Sequence, residues 1–349
     1  MPDWLATPDS NQTFKRAVNR GMLLEALRQE PASRLSLHKQ TGIRLSTVGE
    51  LVEEMLAAEL LVETGAAKKA EGERGRPEQH LALNLDGPYA LGVSIDKEHL
   101  HAGRVNLAGQ LLASHQADIE SNDKSIKLVN QIAREVRQVL PGGPEPLAAC
   151  LGLGLALPGI LDVEQGRVLL ASAFPGLEKG APLAERVEKA VGVRKAVLGN
   201  VANAFMAAER LYGAARGYRD AVLIILEPGQ IGAAVLADGR LVRGKFESSA
   251  ELGHFKIEAD GPPCNCGGKG CLETFIGWPY LYRKLVDKGR RDLADAGVAA
   301  FWTSEHSTCK ELRCEALRRM GRAIGSLINL SRPSAVILTG SLAVLKVTV

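Results

Sequence analysis

Three short segments in the first 63 residues carry apolar side chains at helical spacing. The third is the clearest, because Val48, Leu51, Val52, Met55 and Leu56 fall on one face. Two apolar stretches follow at 60–65 and 79–85, separated by a loop rich in Lys, Glu and Gly. The predicted helices are Asn19–Gln29, Leu35–Gln40 and Thr47–Glu59. Three short helices followed by a β-hairpin predict a winged helix-turn-helix over residues 1–85.

From Tyr89 onward, short apolar strands alternate with amphipathic helices. A three-strand meander, a helix at Ser125–Leu140 and a buried apolar strand come first. A similar succession begins at residue 221 and includes a helix at Cys314–Leu330. A repeated β-β-β-α-β-α unit fits two packed α/β lobes. We therefore expect an α/β domain over residues 86–349, with the boundary near Leu83–Pro88.

Composition and charge narrow the class of protein only slightly. The chain has 349 residues, 46% of them hydrophobic and 24% charged, which is ordinary for a folded globular protein. The formal net charge of +3 is too small to indicate a nucleic-acid binder without local evidence. No uninterrupted apolar run approaches about 18 residues, and the N-terminus lacks the features of a signal peptide. The expectation is a cytoplasmic protein.

Four soft ligands lie close together in the C-terminal half. His254 precedes Cys264, Cys266 and Cys271 among glycines and prolines that turn the chain. Zinc prefers tetrahedral nitrogen and sulfur ligands, and one His with three Cys closes such a site without room for a catalytic water. The sequence predicts a structural zinc site. Of the other cysteines, Cys309 and Cys314 are expected on a helix surface and its approach.

The residues around this cluster resemble the signature of the ROK family, which comprises repressors, open reading frames and sugar kinases. The resemblance covers Tyr89 to about Ala343, and the N-terminal domain is similar to that of the family's repressor branch. It implies an actin-like, ribonuclease-H-like ATPase fold, a zinc site and a sugar pocket between the lobes. The matching residues are Glu251, Gly253, His254, Cys264, Cys266, Gly267, Gly270, Cys271 and Glu273.

By the same resemblance, the sugar hydroxyls are held by Asn200, Glu251, His254 and Glu273. Carboxylates and amides suit sugars because each can bridge neighbouring hydroxyls. His254 can serve twice, with one ring nitrogen on zinc and the other on a hydroxyl. Glu273 has a second interpretation, in which it orients the zinc-binding His254 rather than the sugar. Both interpretations of Glu273 stay open.

The chain departs from the family's kinases at each part of the phosphoryl-transfer machinery. Val201 stands where the kinases place the Asp that acts as general base. The first phosphate loop falls on residues 94–98, with Asp96 and Lys97 in place of the glycines and a second carboxylate at Glu98, and the second reads Glu227-Pro228-Gly229. The adenosine-binding Gly-Gly is Gly340-Ser341, and the chain stops at Val349, short of the family's terminal helix. The sequence predicts no catalytic residue and no kinase activity.

The N-terminal domain offers a DNA-binding face despite its nearly balanced charge. Residues 1–80 contain 11 Lys and Arg against 12 Asp and Glu, a net charge of −1. Helix three should face base edges, with Glu53, Glu54 and Glu59 turned away, and arginines of the wing can enter the minor groove. Gly49-Glu50 replaces the family's usual Ser-Arg, and Ser46 is expected to cap the helix. The predicted DNA-binding residues are Arg44, Thr47, Glu50, Arg74 and Arg76.

These features together predict a sugar-responsive transcriptional repressor. It would bind operator DNA through the winged helix, respond to a sugar or sugar-phosphate effector, and carry zinc in a kinase-inactive sugar-binding domain. It would act as a homodimer or higher homo-oligomer that matches two half-sites. One alternative is an ATP-dependent sugar kinase of the same family. Another is a degenerate relative that binds neither sugar nor DNA.

Overall fold

The computed structural model describes residues 11–66, 79–96, 98–120, 125–142, 146–171, 174, 176–228 and 230–343. The chain divides into two compact units. One takes in residues 1–155, 164–166 and 182–197, and the other 156–163, 167–181 and 198–349. The helices are α1 (Asn11–Gln29), α2 (Arg34–Thr41), α3 (Leu45–Ala57), α4 (Ser125–Arg137), α5 (Leu183–Val191), α6 (Val201–Tyr212), α7 (Leu272–Ile276), α8 (Trp278–Asp287), α9 (Arg291–Asp295), α10 (Gly297–Thr303) and α11 (Ser307–Ser331). The strands are β1 (Ala32–Ser33), β2 (Leu61–Ala66), β3 (Gln79–Leu83), β4 (Tyr89–Ile95), β5 (His99–Asn106), β6 (Leu111–Asp118), β7 (Cys150–Leu157), β8 (Ile160–Asp162), β9 (Arg167–Leu170), β10 (Ala196–Asn200), β11 (Ala221–Glu227), β12 (Gln230–Ala237), β13 (Arg240–Val242) and β14 (Ala335–Thr339).

The first three helices and strands form the expected winged helix-turn-helix. The helices share an apolar core with a three-stranded antiparallel sheet in the order β1-β3-β2. Val48, Leu51 and Val52 of α3 are completely buried in that core, as their helical spacing predicts. Ser33 caps α2, its hydroxyl accepting a hydrogen bond from the N–H of Ser36 at 3.1 Å. The core thus holds α3 by one face.

The same unit contains a five-stranded sheet in the order β10-β7-β4-β5-β6. β4 pairs antiparallel with β5, and β5 with β6. α4 packs against these strands and against α5. Leu107, in the turn between β5 and β6, packs against the core of the winged helix. The side chain of Asn84 also donates a hydrogen bond to the carbonyl of Glu59 at 2.8 Å. The winged helix is therefore attached to the rest of its unit by packing as well as by the chain.

The second unit is organised around β11, which is buried on both faces. Its sheet has the order β13-β12-β11-β14. Ala221, Leu223 and Ile225 point to a core shared with α6. The alternate residues of β11 point to a second core, shared with α7, α8, α10 and α11. This alternation follows from the two-residue repeat of a strand, and it explains why residues 221–226 read as a continuous apolar run.

Several sequence-based expectations are wrong in detail. The helix predicted from Cys314 begins at Ser307, which places Cys309 in the core with no exposed surface. The helix predicted from Asn19 begins at Asn11, and β1 was not anticipated. Helix α3 begins two residues early, so Arg44 rather than Ser46 takes the N-cap position, without a side-chain hydrogen bond. Within the described ranges, no helix is long and apolar enough to cross a membrane.

Candidate functional site

The segment that joins β13 to α7 is shaped by close backbone approaches at two glycines. A side-chain Cβ at Gly253 would lie 2.7 Å from the carbonyl oxygen of Ile231. At Gly270, where φ is +67°, a Cβ would lie 1.6 Å from the carbonyl oxygen of Glu258. Only glycine fits such positions without moving the backbone. The chain can therefore fold back on β12 and bring His254 towards the later cysteines.

A tight turn presents the first two cysteines. The N–H of Cys264 donates to the carbonyl of Gly268 at 2.8 Å, and the N–H of Gly267 donates to the carbonyl of Cys264 at 3.0 Å. Cys271 is the N-cap residue of α7, a helix buried in the second unit's core. Backbone hydrogen bonds thus fix the turn that carries Cys264 and Cys266. The packed helix α7 fixes Cys271.

The four predicted ligands come together. One donor atom from each of His254, Cys264, Cys266 and Cys271 lies within 4.8 Å of the others. The Sγ of Cys264 is 3.5 Å from Nδ1 of His254, and the Sγ atoms of Cys266 and Cys271 are 3.7 Å apart. A tetrahedral zinc with ordinary bond lengths separates two sulfurs by about 3.8 Å and sulfur from nitrogen by about 3.6 Å. The donor set and its spacing therefore fit a zinc ion.

The surroundings of the cluster also suit a metal held by thiolates. Burial raises the pKa of the Cys264 thiol, and a hydrogen bond from the backbone of Gly268 lowers the pKa of Cys266. A buried thiol with a raised pKa must release its proton when it binds a metal. The Nζ of Lys256 lies 3.4 Å from the Sγ of Cys271 and donates to the carbonyl of Lys269 at 2.7 Å. Three thiolates outweigh the charge of one divalent ion, and this ammonium offsets the excess.

Two of the predicted sugar ligands flank His254 on different ring nitrogens. Oε2 of Glu251 is 3.9 Å from Nε2, and Oε1 of Glu273 is 3.5 Å from Nδ1. Oε1 of Glu273 also lies 3.2 Å from the Sγ of Cys264. Partial burial raises the pKa of Glu251, and His254 opposes that shift. Glu251 thus stands beside the nitrogen that faces away from the cysteines, while Glu273 stands on the metal side.

Asn200 is placed by the first turn of α6. Its Oδ1 accepts a hydrogen bond from the N–H of Ala202 at 2.9 Å, which caps the helix, and its Nδ2 donates to the carbonyl of Gly159 at 3.3 Å. Among the described residues, these hydrogen bonds link Asn200 to its own helix and to the turn before β8, not to the His254 cluster. Val201, the first residue of α6, packs against the apolar core beneath that helix.

A buried polar network behind Glu251 was not anticipated. Nδ2 of Asn203 on α6 donates to Oε2 of Glu247 at 2.7 Å, and NH1 of Arg243 lies 3.2 Å from Oε1 of the same carboxylate. Asn203 and Glu247 are 4% and 7% exposed, so these contacts replace water almost entirely. The partners are 44 residues apart in sequence. The available signal was a carboxylate in a loop of otherwise small and polar residues.

The backbone around this network adopts an unusual conformation. Phe246, Glu247 and Ala250 all have positive φ angles, of 60°, 58° and 54°. Left-handed backbone costs non-glycine residues about 1–2 kcal/mol each, so surrounding contacts must compensate. The buried ion pair and amide hydrogen bond of Glu247 supply such contacts. They fix the segment that leads directly into Glu251 and His254.

The predicted DNA-binding residues of α3 lie at the surface, paired in part with α1. Arg44 and Glu50 are exposed and Thr47 is half-buried. Oε2 of Glu50 is 3.4 Å from NH1 of Arg16. Arg74 and Arg76, together with the rest of the wing from 67 to 78, lie outside the described residues.

Acidic residues of α3 pair with basic residues of the neighbouring helices. These acidic residues were expected to face away from DNA. Glu54 pairs with Arg16 and, at 3.0 Å, with Arg20, while Glu53 pairs with Arg34 at 2.7 Å. Three arginines of α1 and α2 are thus engaged within the domain. Surface pairs of this kind are worth about 0–1 kcal/mol, so DNA phosphates can compete for these arginines.

In both segments aligned with phosphate loops, a carboxylate of the chain accepts backbone N–H groups. Oδ1 of Asp96 accepts from the N–H of Glu98 and of His99, each at 2.8 Å. Oε1 of Glu227 accepts from the N–H of Ser341 at 2.9 Å, and the Ser341 hydroxyl donates to Oε2. Such N–H groups are what a phosphate-binding loop offers to its ligand. In the first segment Asp96 already uses them, whereas the N–H that Glu227 accepts belongs to Ser341, in the segment aligned with the adenosine-binding glycines.

Comparisons with known proteins agree with this geometry. The model of the ROK family matches residues 90–347. The xylose repressor of Bacillus subtilis (strain 168) is 26% identical over 338 residues, covering 95% of this chain and 84% of the repressor. The glucokinase of Thermotoga maritima is 28% identical over 267 residues, covering 72% of this chain and 82% of the kinase. The crystal structure of a ROK family transcriptional regulator, a homologue of the Escherichia coli Mlc protein, covers 94% of this chain and 84% of its own, with a TM-score of 0.77 and 24% identity.

The buried network yields a stability prediction. Glu247→Ala leaves Asn203 and Arg243 without their shared carboxylate, so we expect the free energy of unfolding to fall by about 2–4 kcal/mol in urea titrations. Glu247→Gln keeps an acceptor for Asn203 and should lose less. Glu185→Ala, which removes an exposed carboxylate paired with Lys189 on α5, serves as the control and should change stability by less than about 0.5 kcal/mol. Equal effects of Glu247→Ala and Glu185→Ala would contradict a supporting role for the network.

Proposed function

The chain belongs to the ROK family, and we propose that it is a sugar-responsive transcriptional repressor that binds operator DNA. The observation that carries this proposal is the winged helix-turn-helix packed onto a ROK domain, in a chain similar over nearly its whole length to a xylose repressor. The kinase relative covers only 72% of the chain. We propose residues 1–85 as the DNA-binding domain and 86–349 as the sugar-sensing domain.

We propose that the cluster of His254, Cys264, Cys266 and Cys271 holds a structural zinc ion. Four protein ligands close the coordination sphere, so the ion would stabilise the loop rather than activate water. Nδ1 of His254 faces the cysteines, which leaves Nε2 beside Glu251 for a sugar hydroxyl. Glu251, His254, Asn200 and Glu273 are the proposed sugar-binding residues. Glu273 lies beside Nδ1, the nitrogen that would bind zinc, so it cannot accept the N–H of the other ring nitrogen, and the geometry does not favour the interpretation in which it orients His254.

We propose that the protein is not a kinase, although the family contains kinases. Val201 packs in the core at the position of the general base and cannot accept a proton. In the first aligned phosphate loop the N–H groups of Glu98 and His99 are hydrogen-bonded to Asp96, and in the second Pro228 has no N–H group and Glu227 adds a like charge. Phosphoryl transfer depends mainly on positioning and charge stabilisation of the phosphate, and carboxylates at both loops oppose it.

For DNA recognition, we propose that α3 enters the major groove with Arg44, Thr47 and Glu50, while Arg74 and Arg76 of the wing reach the minor groove. Glu50 can accept a hydrogen bond from cytosine N4 once DNA phosphates draw Arg16 away from it. Two half-sites require two winged helices at a fixed spacing, so we propose a homodimer whose geometry changes when sugar binds.

The first test measures the zinc content of the protein and its dependence on one cysteine. We expect the purified protein to contain about one zinc per chain, and Cys266→Ser to lower both zinc content and melting temperature, because a closed four-ligand site contributes folding energy. Elemental analysis and thermal melts provide the measurement. Cys314→Ser, on α11 outside the cluster, is the matched control and should retain its zinc. A metal-free protein of undiminished stability would exclude the zinc proposal.

DNA binding is tested with the whole chain. Selection from random duplexes at low salt should enrich a specific sequence, and xylose, glucose or N-acetylglucosamine should change the affinity for it. We expect Arg44→Ala and Arg76→Ala to weaken binding and to lower the slope of log affinity against log salt by about one where a phosphate contact is lost. Lys189→Ala, an equal charge change on α5, should bind as the unmodified protein does. If no sequence were enriched over competitor DNA, the result would argue decisively against the proposal that the protein is a repressor.

Phosphoryl transfer is tested separately. Coupled ADP-release assays across hexoses and N-acetylhexosamines should show no turnover, and Val201→Asp alone should not restore it, because a restored base has no held nucleotide to act with. Calorimetry with the same sugars measures binding without chemistry. Turnover above ~1 s⁻¹ in the unmodified protein, the low end of the range for kinases, would overturn the non-enzymatic assignment.

A further inference from the structure

A second group of metal-binding side chains lies on β5 and the turn before it. Asp96, His99 and His101 each place one donor atom within 4.8 Å of the other two. His99 and His101 are two residues apart on a strand, so they share a face, and the buried Leu100 between them points to the other. The strand itself therefore holds the two imidazoles side by side.

The carboxylate of this group is fixed before any ligand arrives. Oδ1 of Asp96 accepts N–H groups from Glu98 and His99, which hold it at the turn. Nδ1 of His99 is 3.6 Å from that oxygen. This separation is long for a hydrogen bond, but it is near the spacing of about 3.4 Å that two nitrogen or oxygen ligands take around a tetrahedral ion with bonds of about 2.1 Å.

A second carboxylate stands behind His99. Asp118 on β6 is the cross-strand partner of His99, and its Oδ1 is 3.7 Å from Nε2 of that ring. Metal-bound histidines commonly direct their other ring nitrogen at a carboxylate, which fixes the ring and raises its basicity. The ring of His99 thus has one nitrogen towards Asp96 and the other towards Asp118.

We propose that Asp96, His99 and His101 form a second metal site for a divalent transition-metal ion, with Asp118 orienting the ring of His99. Two imidazoles with one carboxylate suit ions such as zinc, cobalt or nickel, whereas calcium and magnesium prefer oxygen ligands throughout. The site is independent of the Cys cluster, since it uses neither its residues nor its soft sulfur chemistry. It also does not depend on the proposed repressor function.

The test uses Co²⁺ with the full-length protein as purified. Equilibrium dialysis followed by elemental analysis should find roughly one cobalt per chain bound without loss of zinc, and without the thiolate-to-cobalt absorption that occupation of the Cys cluster would produce. His101→Gln and Asp96→Asn should weaken binding at least about tenfold, and Asp118→Asn about tenfold. His115→Gln is the matched control, because His115 lies on β6 beside Glu135 and outside the group, and it should bind cobalt normally.

A second measurement uses the unmodified protein. With isotope-labelled histidines, added Co²⁺ should shift or broaden the NMR signals of the His99 and His101 rings before those of the other histidines. The proposal would be overturned if cobalt affected other histidine rings first or displaced zinc. It would also be overturned if His101→Gln, in a protein with a normal melting curve, left the cobalt affinity unchanged. Absence of cobalt binding to the unmodified protein would do the same.

Discussion

The candidate site depends above all on the meeting of His254 with three cysteines. Backbone hydrogen bonds fold the segment that carries these residues back on itself, among them those from the N–H of Ile257 to Gly270 and from the N–H of Leu272 to Phe255, with glycines at its tight turns. Within the folded segment, Nδ1 of His254 contacts the Sγ of Cys264 at 3.5 Å, and the Sγ atoms of Cys266 and Cys271 are 3.7 Å apart. The orientation of the His254 ring, and with it the position of Nε2 beside Glu251, follows from that contact. A change at any of these four residues would therefore also disturb Nε2 of His254, the atom proposed to face the sugar.

The buried contacts of Glu247 stabilise the loop that precedes Glu251. The carboxylate of Glu247 is held by Asn203 and Arg243 while three residues of its loop occupy left-handed backbone. Because Asn203 lies one turn after Asn200 on α6, the helix that carries one proposed sugar ligand also fixes the loop that leads to two others. Movement of α6 would consequently be felt at Glu251 and His254 together. This coupling gives Asn200, Glu251 and His254 a physical basis for responding together to a ligand.

The sequence predicts the helices of the winged domain, the strand that begins at residue 221 and the meeting of His254 with three cysteines, because each is encoded by a local pattern or a long, irregular spacing. It does not predict the partner of Glu247, since a loop carboxylate gives no sign of an asparagine far away in sequence. The burial of Cys309 was missed for a similar reason. The amphipathic pattern of α11 is weak near its start, and only packing against the second core shows that the helix begins at Ser307. The pairing of Glu50 with Arg16 likewise needs the relative placement of α1 and α3.

The two segments aligned with phosphate loops support the proposal that this chain binds sugar without transferring phosphate. A phosphate-binding loop must leave its N–H groups unpaired until the ligand arrives, which costs folding energy in the absence of nucleotide. At Asp96 that cost is removed, because its carboxylate accepts the N–H groups of Glu98 and His99. A phosphate would have to displace a fixed anion and then sit beside it. The carboxylates of these two segments would therefore oppose a bound phosphate, while the proposed sugar ligands Glu251 and His254 are held by separate contacts.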